Sequence, residues 1–137
     1  AAAFEVAWKE AWQQPQLDEL IERFGGPPHP AIASLFSDPV RGDVSHVVLH
    51  GEGTPPEGYT LMNYFPAGLR WTTFADHLGP TEYAFAHDEE GDLYTTDWTS
   101  GEPVWRVSYL RCQADLRDQV APSLAAFLAW RHEPGGV

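Results

Sequence analysis

The chain holds one cysteine, one methionine and eight Lys or Arg residues among 137. Each scarcity excludes something. A lone thiol, Cys112, rules out an internal disulfide framework and any zinc site built on several cysteines. No nucleophile motif surrounds it, so it reads as an inert thiol. Eight basic residues against twenty acidic ones leave a formal net charge of −12. That balance removes the phosphate attraction on which unspecific binding to nucleic acid or anionic membrane depends. No run approaches the roughly eighteen apolar residues that span a bilayer, and no signal-peptide pattern is visible. The expected setting is cytoplasmic. A phosphate-binding Gly-Lys-Ser/Thr loop, a Gly-x-Ser-x-Gly elbow and a dinucleotide fingerprint are all missing.

Against these absences stand six tryptophans, five tyrosines and seven phenylalanines within a 43% hydrophobic composition. That is enough apolar material for a folded core despite the charge. The length suits one domain over 1–137.

Apolar periodicity places the elements. Phe4, Trp8 and Trp12 form a helical stripe closed by Pro15. Leu17, Leu20, Ile21 and Phe24 form a second stripe, stopped by Gly25-Gly26, with Asp18 and Glu19 in its first turn and Arg23 in its last. Pro30 suits the first position of a short helix carrying Ile32, Leu35 and Phe36 and ending at Asp38-Pro39. Val44–His50 reads as a buried strand, 51–58 as a loop and 59–65 as a strand, with a single helical turn at Phe74–Leu78. Segment 111–119 fits loop or helix. From Val120 onward, with Pro122 in the first turn, Leu124, Phe127 and Leu128 make a closing helix that runs out at Pro134.

The clearest stretch is Tyr83–Tyr109. Three aromatic and β-branched runs, Tyr83–His87, Leu93–Asp97 and Val104–Tyr109, are joined by the turns 88–91 and 99–103. Period-two alternation puts Tyr83, Phe85 and His87 on one side, Ala84 and Ala86 on the other; this predicts a three-stranded antiparallel meander. The fold class expected is α+β: N-terminal helices, a mostly antiparallel sheet around the meander 83–109, and a closing C-terminal helix. Between Trp71 and Trp105 there is no Lys or Arg, while eight carboxylates fall inside that window. The meander is therefore expected to carry an acidic face.

The order of elements and several local motifs resemble the SUKH superfamily, the Smi1/Knr4-like domains. The residues that carry the likeness are LDELIERFGGPPHPAIASLF, then Phe85, Ala86, Asp88, Gly91, Asp92 and Tyr94 of a hairpin. Pro103-Val104 at the start of a strand and Ser123, Phe127 and Leu128 of the closing helix complete it. The likeness spans about 17–36 and 82–130; the Gly/Pro-rich region 51–80 departs from it. It implies a binding role rather than a reaction, because many bacterial members resemble immunity proteins that neutralise a toxin, often a nuclease or nucleic-acid deaminase. Others are regulatory interaction domains.

Catalytic chemistry finds little support in the residues themselves. His46 and His50 stand about 13 Å apart along a strand and cannot chelate one ion together. His29, His77, His87 and His132 are scattered, and no metal or cofactor is expected. The turn at 88–92 lacks the ligand alternation of a calcium loop. No carboxylate pair stands in a definable pocket.

Two readings remain. The first is a non-enzymatic immunity protein whose face of Asp88, Glu89, Glu90, Asp92, Asp97, Trp98 and Glu102 opposes a toxin's basic surface. It binds no nucleic acid or membrane, and is monomeric or weakly oligomeric when free. The same side chains also serve as solvated hairpin residues that keep sheet edges from pairing. The second reading is a regulatory or scaffold domain holding a partner segment beside Trp71, Phe74 and Trp105. The first predicts that changing Glu89, Glu90 and Asp92 together to Lys strongly slows association and weakens its salt dependence, measured by stopped flow. Unchanged kinetics move the interface elsewhere, for example to 59–71.

Overall fold

A computed structural model describes residues 14–37, 45–64, 78–88, 92–108 and 113–134. The expected helices at 4–12 and 74–78 lie largely or wholly outside these residues. Three helices, α1 (Gln14–Phe24), α2 (Pro30–Ser37) and α3 (Leu124–Ala129), accompany seven strands. The strands are β1 (Ser45–His50), β2 (Tyr59–Tyr64), β3 (Glu82–His87), β4 (Leu93–Asp97), β5 (Val104–Ser108), β6 (Gln113–Ala121) and β7 (Arg131–Pro134). They form one antiparallel sheet in the order β6-β5-β4-β3-β2-β1-β7. The α+β class holds, and the meander continues beyond the three expected strands in both directions.

Four local expectations change. Helix α1 starts at Gln14, so Pro15 occupies its first turn and Asp18 and Glu19 fall beyond it. Residues 113–121 form a strand, although Gln, Ala, Leu and Arg favour helix, because pairing with β5 overrides a weak local preference. Val120 and Ala121 belong to that strand. Helix α3 begins only at Leu124, after Ser123, whose hydroxyl accepts from the Ala126 N–H. Its end at Ala129 leaves Arg131–Pro134 free to pair with β1 as β7.

The fourth change concerns β3. Its register with β4 shifts between Ala84 and Ala86, a bulge at Phe85. Tyr83 pairs with Thr96 and Ala86 with Tyr94, so Tyr83, Phe85 and Ala86 all belong to the core. His87, opposite Leu93, moves to the other face. Simple alternation fails because one extra residue resets the pleat.

The helices pack on the core face. Phe127 of α3 meets Phe85 edge-on at 5.4 Å and Tyr94 at 5.3 Å. Phe24 of α1 stacks on Trp98 at 4.6 Å. Trp98 also stands edge-on to Tyr83 at 5.1 Å and is 1% exposed. Its indole N–H donates to the Gly26 carbonyl at 2.8 Å, and its own carbonyl accepts from the His29 N–H at 2.9 Å. The α1–α2 connection is thus pinned to the end of β4. Gly101 closes the same corner in the left-handed region, φ 67°, where a methyl would stand 2.9 Å from His29 Nδ1.

Trp98→Ala is expected to cost about 3–5 kcal/mol, from lost ring burial and the Gly26 carbonyl left unpaired. Gly101→Ala is expected to cost about 1–3 kcal/mol through φ strain and contact with His29. Urea unfolding followed by circular dichroism measures both.

Candidate functional site

The sheet face turned away from the described helices carries a row of polar side chains. Thr95 pairs with both Ala84 and Trp105, while Val107 pairs with Arg117. Successive side chains alternate, so Glu82 shares a face with Ala84, and Trp105 with Val107. Glu82, Thr95, Trp105 and Arg117 therefore cross four neighbouring strands on one face.

Glu82 is 7% exposed and fully engaged. Its Oε2 accepts from Arg117 Nη1 at 2.7 Å and from the Thr95 hydroxyl at 2.6 Å; its Oε1 accepts from the Gly79 N–H at 2.9 Å. The Arg117 guanidinium lies over the Trp105 ring, 5.8 Å from its centre. Glu82, Arg117 and Trp105 line an open cleft of about 400 Å³ whose rim also includes Asp97 and Glu102.

Asp97 begins a turn. Its Oδ2 accepts from the Thr99 N–H at 3.0 Å and the Ser100 N–H at 2.8 Å, and its Oδ1 from the Thr81 hydroxyl at 2.5 Å. Partial burial acts to raise its pKa, but the hydrogen bonds from Thr81, Ser100 and Thr99 outweigh it and hold the carboxyl below its ordinary value. Glu102 is exposed. Among the described residues neither Asp97 nor Glu102 has an ion-pair partner.

The described residues among those singled out in the sequence do not form one face. Asp88 is 2% exposed; its Oδ1 accepts from the Asp92 N–H at 2.9 Å, and its own N–H donates to the Asp92 carbonyl. Asp88 and Asp92 lie near half-buried Arg106. Burial lowers the pKa of that guanidinium, but Tyr94 and the carboxylates of Asp88, Asp92 and Asp118 raise it further. This group and the cleft rim stand at opposite ends of β4, about 13 Å apart along the strand. Trp98 is corrected from exposed anchor to core residue, since its polar edge is satisfied inside. Glu89 and Glu90 lie outside the described residues, as do Trp71 and Phe74. Of the described members of the expected set, Asp97 and Glu102 come together at the cleft.

Glu82, Arg117 and Thr95 were not picked out by sequence. Glu82 and Arg117 are distant in the chain, and Arg117 sits in the segment whose strand character local preference conceals. Trp105 was marked, as part of a groove.

Among the described histidines, His132 and His29 have different partners. His132 Nε2 is 2.7 Å from the Tyr64 hydroxyl, and His29 Nδ1 accepts from the Ala31 N–H at 3.1 Å. Among the described residues no three His, Cys, Asp or Glu side chains are placed to hold a metal ion. Likewise no described helix is long and apolar enough to cross a membrane. No protein-family model, curated protein or solved structure matches this chain.

Two outcomes follow for the site. Glu82→Gln is expected to cost about 1–3 kcal/mol, because Arg117 loses its charged partner in a half-enclosed place. Chemical denaturation checks it, with the Glu82→Gln/Arg117→Met pair recovering part of the loss. Asp97 has its pKa lowered on folding, so its stabilisation is complete above the unfolded value near 3.9 and fades as pH falls through the lower folded value. Asp97→Asn should flatten the acid limb of a stability–pH profile below about pH 4 and leave its shape at neutral pH unchanged.

Proposed function

We propose that the chain is a non-enzymatic, immunity-type binding protein that neutralises a toxin with a basic surface, a nuclease or nucleic-acid deaminase, in the cytoplasm. The observation that carries this reading is the charge lining the cleft at one end of the sheet face. Asp97 and Glu102 rim the cleft without a cationic partner among the described residues, while Arg117, lining the same cleft, is bound to Glu82. A toxin cleft that binds nucleic acid is basic, and opposite fields accelerate encounter. Half-buried Trp105 adds apolar area of the kind that concentrates binding energy. The likeness to SUKH domains supports the same role, with the interface moved from Trp98 and the hairpin tip to the cleft.

A second reading is a Smi1/Knr4-like regulatory or scaffold domain. The cleft beside Trp105 supports it, being concave and open enough for a partner segment. That reading expects salt-insensitive association and no rescue from toxicity.

Co-expression with candidate basic toxin domains separates the two. Rescue of growth is expected, and purified Glu102→Lys should associate about tenfold more slowly at low salt, with a flatter salt dependence. Rescue and association rate both untouched by Glu102→Lys remove the cleft from the interface.

A further inference from the structure

We infer that the cleft receives an arginine side chain of the partner, its guanidinium lying on Trp105 between Asp97 and Glu102. The inference rests on the protein-binding reading and specifies the chemistry of that contact.

The chain already displays this recognition with a side chain of its own. Arg117 lies over Trp105 at 5.8 Å and ends on the Glu82 carboxylate at 2.7 Å. An indole face beside a carboxylate is a receptor for a flat cation, and arginine matches it better than lysine because guanidinium is planar and weakly hydrated. With Arg117 in place Trp105 is still only half-buried, so part of it stays accessible from the cleft. Glu82 has its oxygens occupied by Arg117, Thr95 and the Gly79 N–H. The rim carboxylates of Asp97 and Glu102 meet no cation among the described residues. Hydrogen bonds from Thr81, Ser100 and Thr99 keep Asp97 ionised without neutralising it. The free charge therefore stands at the mouth of a 400 Å³ cleft with an aromatic wall. A neutral ligand gains little there, because the buried carboxylate is already satisfied; a second guanidinium gains both charge and stacking.

The test is a titration of the isotopically labelled full chain with N-acetyl-arginine amide, following the Trp105 indole N–H by NMR. N-acetyl-glutamine amide is the uncharged control. A saturable shift with arginine amide and none with glutamine amide is expected. Glu102→Lys, an exposed change, should weaken the arginine interaction about fivefold, and Asp97→Asn should weaken it in the same direction. Equal shifts from both amides, no saturable shift, or indifference to both substitutions overturns the inference. The protein-binding reading fails separately. If arginine amide binds as expected but Glu102→Lys leaves toxin rescue and association unchanged, the cleft is not the toxin interface. If Glu102→Lys slows association while arginine amide does not bind, the partner's contact is of another chemistry and only the inference falls.

Discussion

The indole of Trp98 holds the two layers of this protein together. It comes from the end of β4, yet its N–H is bonded to the Gly26 carbonyl between two helices, and its ring is stacked on Phe24. The Trp98 N–H and carbonyl extend the grip, to the Thr81 carbonyl on one side and the His29 N–H on the other. A ring of this size is stable inside only when its polar edge finds a partner, and Gly26 supplies it. The same corner includes Gly101, whose carbonyl accepts from the Leu124 N–H at the start of α3. One buried side chain and one left-handed glycine thereby connect all three described helices to the middle of the sheet.

That anchorage leaves the two faces with different chemistry. The core face is aromatic and aliphatic, with Tyr83, Phe85 and Tyr94 beneath α1 and α3. The opposite face holds an ion pair, a tryptophan and a cleft bordered by carboxylates. The Phe85 bulge contributes to the division by keeping Phe85 and Ala86 on the core side with Tyr83 while turning His87 away. Glu82 stands before the bulge, where the register with β4 is still regular. Its bond to Arg117 spans β3 to β6 and braces the face opposite the described helices.

Much of this was legible in the sequence, and what was not has physical causes. The stripes of Leu20, Ile32 and Leu35 identify α1 and α2 because a helix must bury one side. The aromatic runs at 83–87, 93–97 and 104–108 identify the meander because turns and alternation agree. Strand β6 escapes because an edge strand is fixed by its neighbour rather than by its own preferences. Strand β7 escapes because four residues carry too little pattern. For the cleft, the acidic window contains Asp97, Glu102 and Glu82. Spacing alone cannot distinguish a carboxylate at the cleft rim from one spent on a turn, as Asp88 is. Nor can it show that Trp98 points inward while Trp105, seven residues on, stands at the cleft.

The central claim is that the cleft bordered by Asp97, Glu102 and Trp105, rather than the helical side, meets the partner. Hydrogen exchange of the protein alone and with the basic toxin domain tests it directly. The result expected is added protection in 79–82, 95–105 and around Arg117, with the exchange of α1 and α2 unchanged. Protection confined to residues 14–37, with 95–105 exchanging as in the free protein, would contradict it.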